Sequence, residues 1–268
     1  MIQSRRIVCK EKKSPRAIIS FPDNLRFGCE FEFYISGNNT KEIIEELESI
    51  TGSDILINLN EIPIEKDSYD CLCLKYDSSL TESGVEISTP ICSYDTLRYY
   101  IGHISWIIEE YGTTNEDTGF HIHISMEDKE NMDFYALLLL FDNANLLDSW
   151  GERNGYSLNP MEILNCLNEE ESKKLKDKKG RIWSIERRGN AHIEIRTIGG
   201  VAYHKETSKI YKELDLFIKI FQESLEDMKL NSHYEIVLEN HFKILNNTNN
   251  KKIERFQDFI STINPIVN

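Results

Sequence analysis

Four short segments of this chain carry ionisable side chains on alternate positions of otherwise apolar runs. Glu30 and Glu32 alternate with Cys29, Phe31 and Phe33, and Glu86 stands in Gly84-Val85-Glu86-Ile87-Ser88-Thr89-Pro90. His121 and His123 alternate with Phe120, Ile122 and Ile124; His192, Glu194 and Arg196 alternate with Ala191, Ile193 and Ile195. Successive side chains of a β-strand point to opposite faces, so each segment predicts a strand with one apolar and one chemically able face. Taken singly, a water-facing strand, a paired H-x-H or a cross-strand E-x-R salt bridge explains each. Together they put four carboxylates, three imidazoles and a guanidinium on one set of faces. Like charges 4 Å apart cost about 4 kcal/mol at an effective dielectric of 20. The carboxylates therefore either lie apart in water or are held by divalent cations. Carboxylate oxygens with a few imidazoles suit Mg²⁺ or Mn²⁺ better than Zn²⁺. One arginine on the same face suits an anionic ligand such as a phosphate chain.

The elements that must position these residues are readable from periodicity. A strand over 26–35 leads through Ser36-Gly37-Asn38-Asn39 to a helix of about 41–50, with Thr40 as N-cap and Gly52 closing it. Residues 54–60 and 70–76 read as neighbouring strands, and Tyr76 to Leu80 as a turn before a strand over 84–90. Leu97, Tyr100, Ile101, Ile104, Ile107, Ile108 and Tyr111 follow helical spacing over 94–111. A strand over 119–125, a helix over 131–147, a polar loop and a charged helix of about 160–177 follow. Residues 181–186 and 192–197 read as a hairpin around Arg188-Gly189-Asn190, then a long helix spans about 205–229 and two weaker helices close the chain. Strands and helices mix without strict βαβ alternation. The expected fold class is therefore α+β: an antiparallel sheet with helices on its apolar face and a cleft on its polar face.

Composition sets outer bounds. The chain has 268 residues, 40% apolar and 28% charged, which allows one large domain with a sizeable core. Lysine and arginine total 31 against 45 aspartates and glutamates, a formal net charge of -14. A phosphate-backbone binder needs a basic face, so no nucleic-acid partner is expected. Nothing approaches the roughly 18 apolar residues of a membrane span, nor does the start carry an apolar stretch of signal-peptide length. The six cysteines form no C-x-x-C pair. The expectation is a cytoplasmic, reduced protein with no membrane partner.

The ordered set of motifs resembles a known family. Gly28-x-Glu30-x-Glu32, then Asp77-x-Ser79 with Glu86-Ile-Ser-Thr-Pro90, then Gly119-x-His121-x-His123, then Glu194-x-Arg196 followed by Gly199-Gly200, is similar to the amidoligase family. That family belongs to the carboxylate–amine ligase superfamily of glutamine synthetase and glutamate–cysteine ligase. The resemblance covers roughly residues 26–200. It implies a curved antiparallel sheet, like the glutamine synthetase catalytic domain, with helices on the convex face and ATP and divalent metals (Mg²⁺ or Mn²⁺) on the concave one. The expected domain order is a 1–25 extension or edge element, a 26–230 catalytic domain like that family's, and a 231–268 helical extension of the same domain.

By the same resemblance, Glu30, His121 and Glu194 look like ligands of the metal that touches the γ-phosphate. Glu32 and Glu86 resemble ligands of the metal nearer the acceptor carboxylate. His123 is either a ligand or a phosphate contact, and Arg196 looks like the phosphate-contacting arginine. Arg153 resembles an arginine that binds phosphate or a substrate carboxylate, and Asp77 is a candidate base for the incoming ammonium. The position of His192 is not clearly shared with the family. Where the family ends its last motif in Gly-Thr, this chain has Gly199-Gly200.

The implied activity is ATP-dependent amide or peptide bond formation through an acyl phosphate, joining small-molecule or peptide carboxylate and amine substrates, with homo-oligomerisation left open. Two other classes use the same residues. A metal-dependent hydrolase would cleave its substrate without ATP, and a non-catalytic relative would bind nucleotide without turnover. Substrate choice falls to the loops 61–70, 112–118 and 150–160, whose residues carry no readable code.

Overall fold

The computed structural model describes residues 22–52, 55–59, 71–81, 84–127, 132–150, 157–161, 183–189 and 191–225. The fold is mixed, built on one eight-stranded, largely antiparallel sheet with four α-helices among the described residues. Its strands are β1 (Leu25–Ile35), β2 (Leu56–Asn58), β3 (Cys73–Tyr76), β4 (Gly84–Ser88), β5 (Gly112–Thr113), β6 (Gly119–Met126), β7 (Ile185–Gly189) and β8 (His192–Gly199). The spatial order is β2-β3-β4-β1-β6-β8-β7, with β5 paired to the end of β1. The longest strand, β1, is thus central, flanked by β4 and β6, both antiparallel to it. The expected antiparallel sheet needs one correction: β2 runs parallel to β3.

The apolar positions of β1 explain its place. Phe27, Cys29, Phe31 and Phe33 are all buried, and Phe31 meets Phe120 of β6 with ring centroids 4.4 Å apart. Against that face lies α2 (Tyr94–Tyr111), started by Ser93, whose side chain accepts from the Thr96 amide. Its buried Leu97, Ile101, Ile104 and Ile108 recur at helical spacing. Two further helices, α1 (Thr40–Thr51) and α4 (Thr207–Glu223), pack on α2, and α3 (Phe134–Asn143) packs on α4 through Phe141 stacked on Phe217. The core therefore fills one side of the sheet, and the polar side is left for chemistry. No described helix is long and apolar enough to cross a membrane.

Local chemistry moved several boundaries. Asn39, not Thr40, is the N-cap of α1, and Gly52 at φ 66° closes it with its amide on the Glu48 carbonyl. The helix expected over 131–147 is shorter, because Asp133 accepts from the Ala136 amide at its start and Asn145 turns left-handed (φ 53°) after its end. The hairpin reaches further than its charged tip suggested: Arg188 and Gly189 belong to β7, with a register break between Arg187 and Gly189. A second break places both Arg196 and Thr197 of β8 opposite His121 of β6, so Ile195 and Ile198 face the core three residues apart. The 160–177 helix, the helices after 225, the 231–268 extension and residues 1–21 lie outside the described residues.

Candidate active site

Register turns the scattered motifs into rows across the polar face. One row runs Lys75 (β3), Glu86 (β4), Glu32 (β1). The next runs Ser88, Glu30, His121 and then the Arg196–Thr197 bulge. A third runs Gly28, His123, Glu194, Glu186. A fourth joins Arg26, Ser125 and His192. Neighbouring rows are two residues apart on each strand, and strands are about 4.8 Å apart, so the side chains meet in a single patch.

The patch is tightly connected. His121 Nδ1 lies 3.1 Å from Glu30 Oε2 and 3.6 Å from Glu194 Oε1, while its Nε2 is 3.5 Å from Glu32 Oε1. His123 Nε2 lies 3.5 Å from Glu30 Oε1, and its Nδ1 is 3.1 Å from His192 Nε2. Arg196 donates from Nη1 to Glu194 Oε1 at 2.5 Å. On the neighbouring row, Lys75 Nζ pairs with Glu86 Oε1 at 2.8 Å, and Ser88 Oγ donates to the same oxygen at 2.5 Å. Donor atoms of Glu30, His123 and Glu194 all lie within 4.8 Å of one another, a spacing suited to one metal ion.

Burial and partners set the protonation states. Burial works against ionising Glu30, but hydrogen bonds from His121 and His123 and their charge hold its carboxyl well below the usual range. Glu194 is likewise buried, yet His121, Arg196, His123 and Arg188 pull it down to about 2. Burial and then the Glu30 charge push Glu86 up to about 7 against Lys75 and Ser88. Burial does the same for Glu186, also to about 7, with Arg188 opposing and Glu194 assisting. His123 is raised: burial opposes its charge, but Glu30 prevails. His192, half-buried beside His123, is lowered to about 4, by burial first and then by the His123 charge.

These shifts make stability pH-dependent. A carboxyl raised in the folded state binds more protons there than when unfolded, so its contribution falls as pH rises from the unfolded value towards the folded one. Glu194, lowered, contributes above its ordinary value and loses that as pH falls towards 2. Glu86→Gln removes one raised group. Without divalent cations, its melting temperature is expected to gain on the wild type by several degrees between pH 5 and 8. Parallel melting curves across that range would contradict the assignment of Glu86.

The structure thus brings Glu30, Glu32, Glu86, His121, His123, Glu194 and Arg196 onto one face. Asp77 stands apart at the turn after β3, where its Oδ1 accepts the Ser79 amide at 2.8 Å. Arg153 lies outside the described residues. His192 touches the patch through His123. Sequence reasoning missed Lys75, Ser88, Glu186 and Arg188. For Lys75 the signal was alternation with Leu72 and Leu74 around the start of β3; Glu186 ends the expected 181–186 strand with nothing to mark it as a site residue, and Arg188 falls in the expected Arg188-Gly189-Asn190 hairpin tip.

The donor chemistry fits a divalent cation. Oε1 of Glu186 is buried without a hydrogen-bond partner among the described residues, and the buried Nε2 atoms of His121 and His123 reach only carboxylate oxygens 3.5 Å away, outside good hydrogen-bond geometry. Such groups cost about 1–3 kcal/mol each when unsatisfied, a cost that a cation or its waters would remove. A separate cleft of about 460 Å³ opens past the end of β8, between Gly199, Gly200, Val201, Trp150, Glu206 and Lys209. The imidazoles and carboxylates of the patch do not line it, but it begins three residues beyond Arg196 on the same strand. Its volume is in the range that holds a small organic ligand.

Residues 23–150 match a protein-family model described as putative amidoligase enzyme. The matched span contains Glu30, Glu32, Asp77, Glu86, His121 and His123; Glu194 and Arg196 lie beyond it and join through the sheet. Among the curated proteins, no match was found.

Proposed function

From the amidoligase match over residues 23–150, which implies an enzyme of ligase type, we propose that this chain is an ATP-dependent carboxylate–amine ligase. The observation that carries the reading is the single patch in which Glu30, His121, His123, Glu194 and Arg196 contact one another on the polar face of the sheet. With it goes the expectation of a curved sheet whose concave side takes ATP.

Glu30, Glu194 and an imidazole of His121 or His123 would hold one divalent cation, and Glu32 with Glu86 a second. When bound, such ions neutralise the charge that a triphosphate and a carboxylate bring together. Lys75 and Ser88 fix Glu86 by holding its Oε1. Arg196, anchored on Glu194, points its guanidinium along the same face to stabilise the transferring phosphoryl group. In the first step a carboxylate oxygen of the acid attacks the γ-phosphorus, the bond to the β-bridging oxygen breaks, and ADP leaves. In the second, an amine attacks the acyl carbon, the carbon–oxygen bond to phosphate breaks, and an amide and inorganic phosphate form. The proton lost by the ammonium goes to Asp77, on the turn that leads into β4.

Asp77→Asn keeps an oxygen for the Ser79 amide and so keeps the turn, but cannot take a proton. A drop in kcat of about 10²-fold is expected at an unchanged melting temperature; a change of less than threefold would remove Asp77 from the reaction. The function itself is tested by ADP release across a panel of acids and amines. Release should require Mg²⁺ together with both co-substrates. Turnover without ATP would overturn the reading.

A further inference from the structure

The third row ends on Glu186, and the reaction above has no use for it or for Arg188 two residues further on. Glu186, on the edge strand β7, is nevertheless only 6% exposed. Its Oε1 is buried without a hydrogen-bond partner among the described residues, and its Oε2 lies 3.0 Å from Nη2 of Arg188. Arg188 is the extra residue at the β7–β8 register break, and bulges of this kind re-aim a side chain. Both its Nε and Nη2 contact Glu194 Oε2, while Arg196 holds Glu194 Oε1. Both oxygens of Glu194 are therefore covered by arginines, although the same carboxylate stands with Glu30 and His123 at metal-ligand spacing.

A cation that binds Glu194 must compete with one of these guanidiniums. Arg196 is the deeper, its side chain 11% exposed against 31% for Arg188. Arg188 is the one with room to leave, and Glu186 keeps hold of it when it does. The charges favour that exchange. Glu30, Glu186 and Glu194 face Arg188 and Arg196, and a divalent ion at Glu194 sets two further positive charges beside the looser guanidinium and repels it. An anion bound to that ion then attracts it.

We propose that Arg188 is a second phosphate-binding side chain of this site, resting on Glu194 and Glu186 until a divalent cation takes Glu194. The inference builds on the ligase reading. Arg188 is then a competitor for the metal and a helper for the nucleotide, so its removal has opposite effects on the two ligands.

The test is binding by the full chain, without turnover. Mn²⁺ alone, followed by electron paramagnetic resonance, should bind about three- to tenfold more tightly to Arg188→Met than to the wild type, the scale of one exchanged ion pair. With Mn²⁺ saturating, the non-hydrolysable analogue AMP-PNP should bind about tenfold more weakly. Arg188→Lys keeps the charge but cannot bridge two carboxylates through a planar fork, so it should also tighten Mn²⁺, by less. Unchanged or weaker Mn²⁺ binding in the Met variant overturns the proposal. So does a Lys variant that matches the wild type, because the effect would then be charge alone. A wild type that binds neither Mn²⁺ nor AMP-PNP overturns the ligase reading itself.

Discussion

Glu194→Gln is expected to lower acid- and amine-dependent ADP release by about 10³-fold or more, the scale of losing a group that acts directly on transition-state charge. No other carboxylate of the site is so fully engaged. It is 2% exposed, receives Arg196 at 2.5 Å, meets Arg188, and lies 3.6 Å from His121. The amide keeps the shape but removes the charge, leaving two guanidiniums facing a neutral group and one metal ligand lost. Breaking a buried pair in this way costs about 3–5 kcal/mol, so the variant should also melt at a lower temperature. Calorimetry of Mn²⁺ binding, done well below the melting point, separates loss of the site from loss of the fold. Glu30→Gln and Glu32→Gln should each abolish turnover but differ in kind. The first should weaken nucleotide binding and the second acceptor binding. Equal, mild defects would return β1 to an ordinary amphipathic strand.

Phe31→Ala is expected to lose about 3–5 kcal/mol on denaturant unfolding. Phe31 is fully buried on the central strand, packs on Phe120, and stands between Glu30 and Glu32 on the opposite face. The cavity left behind would let β1 shift against β6, and the register of Glu30 with His121 depends on that pairing. Catalytic loss should therefore accompany the stability loss. Ile91→Ala, at a side chain 63% exposed, is the control and should change stability by less than about 0.5 kcal/mol.

Much of this site was legible because a strand repeats every two residues. Glu30 with Glu32, and His121 with His123, were bound to share a face whatever their neighbours, and β1 and β6 do pair through Glu30 and His121. Two things were beyond period-two reasoning. The bulge that sets Arg196 and Thr197 against His121 depends on how β8 and β6 fit, which no local pattern records. Arg188 sits in Arg188-Gly189-Asn190, which reads as a hairpin tip until β7 is seen to continue into it, and Glu186 is a lone charge at the end of its expected strand. Lys75 was hidden differently: a single lysine after the four apolar residues 71–74 resembles a strand end until its register with Glu86 is known. The helices were easier, since α2 carries an unbroken apolar stripe and a serine cap. The parallel pairing of β2 with β3 depends on the connection between them, for which alternation carries no information.

The central claim is that an acid's carboxylate is activated by phosphoryl transfer on this patch. The most direct measurement supplies acids labelled with ¹⁸O in the carboxylate, together with ATP, Mg²⁺ and an amine. The inorganic phosphate is then analysed by mass spectrometry. An acyl phosphate requires one labelled oxygen in the phosphate released for each amide formed. Amide formation with unlabelled phosphate, or phosphate release that needs neither acid nor amine, would contradict the account.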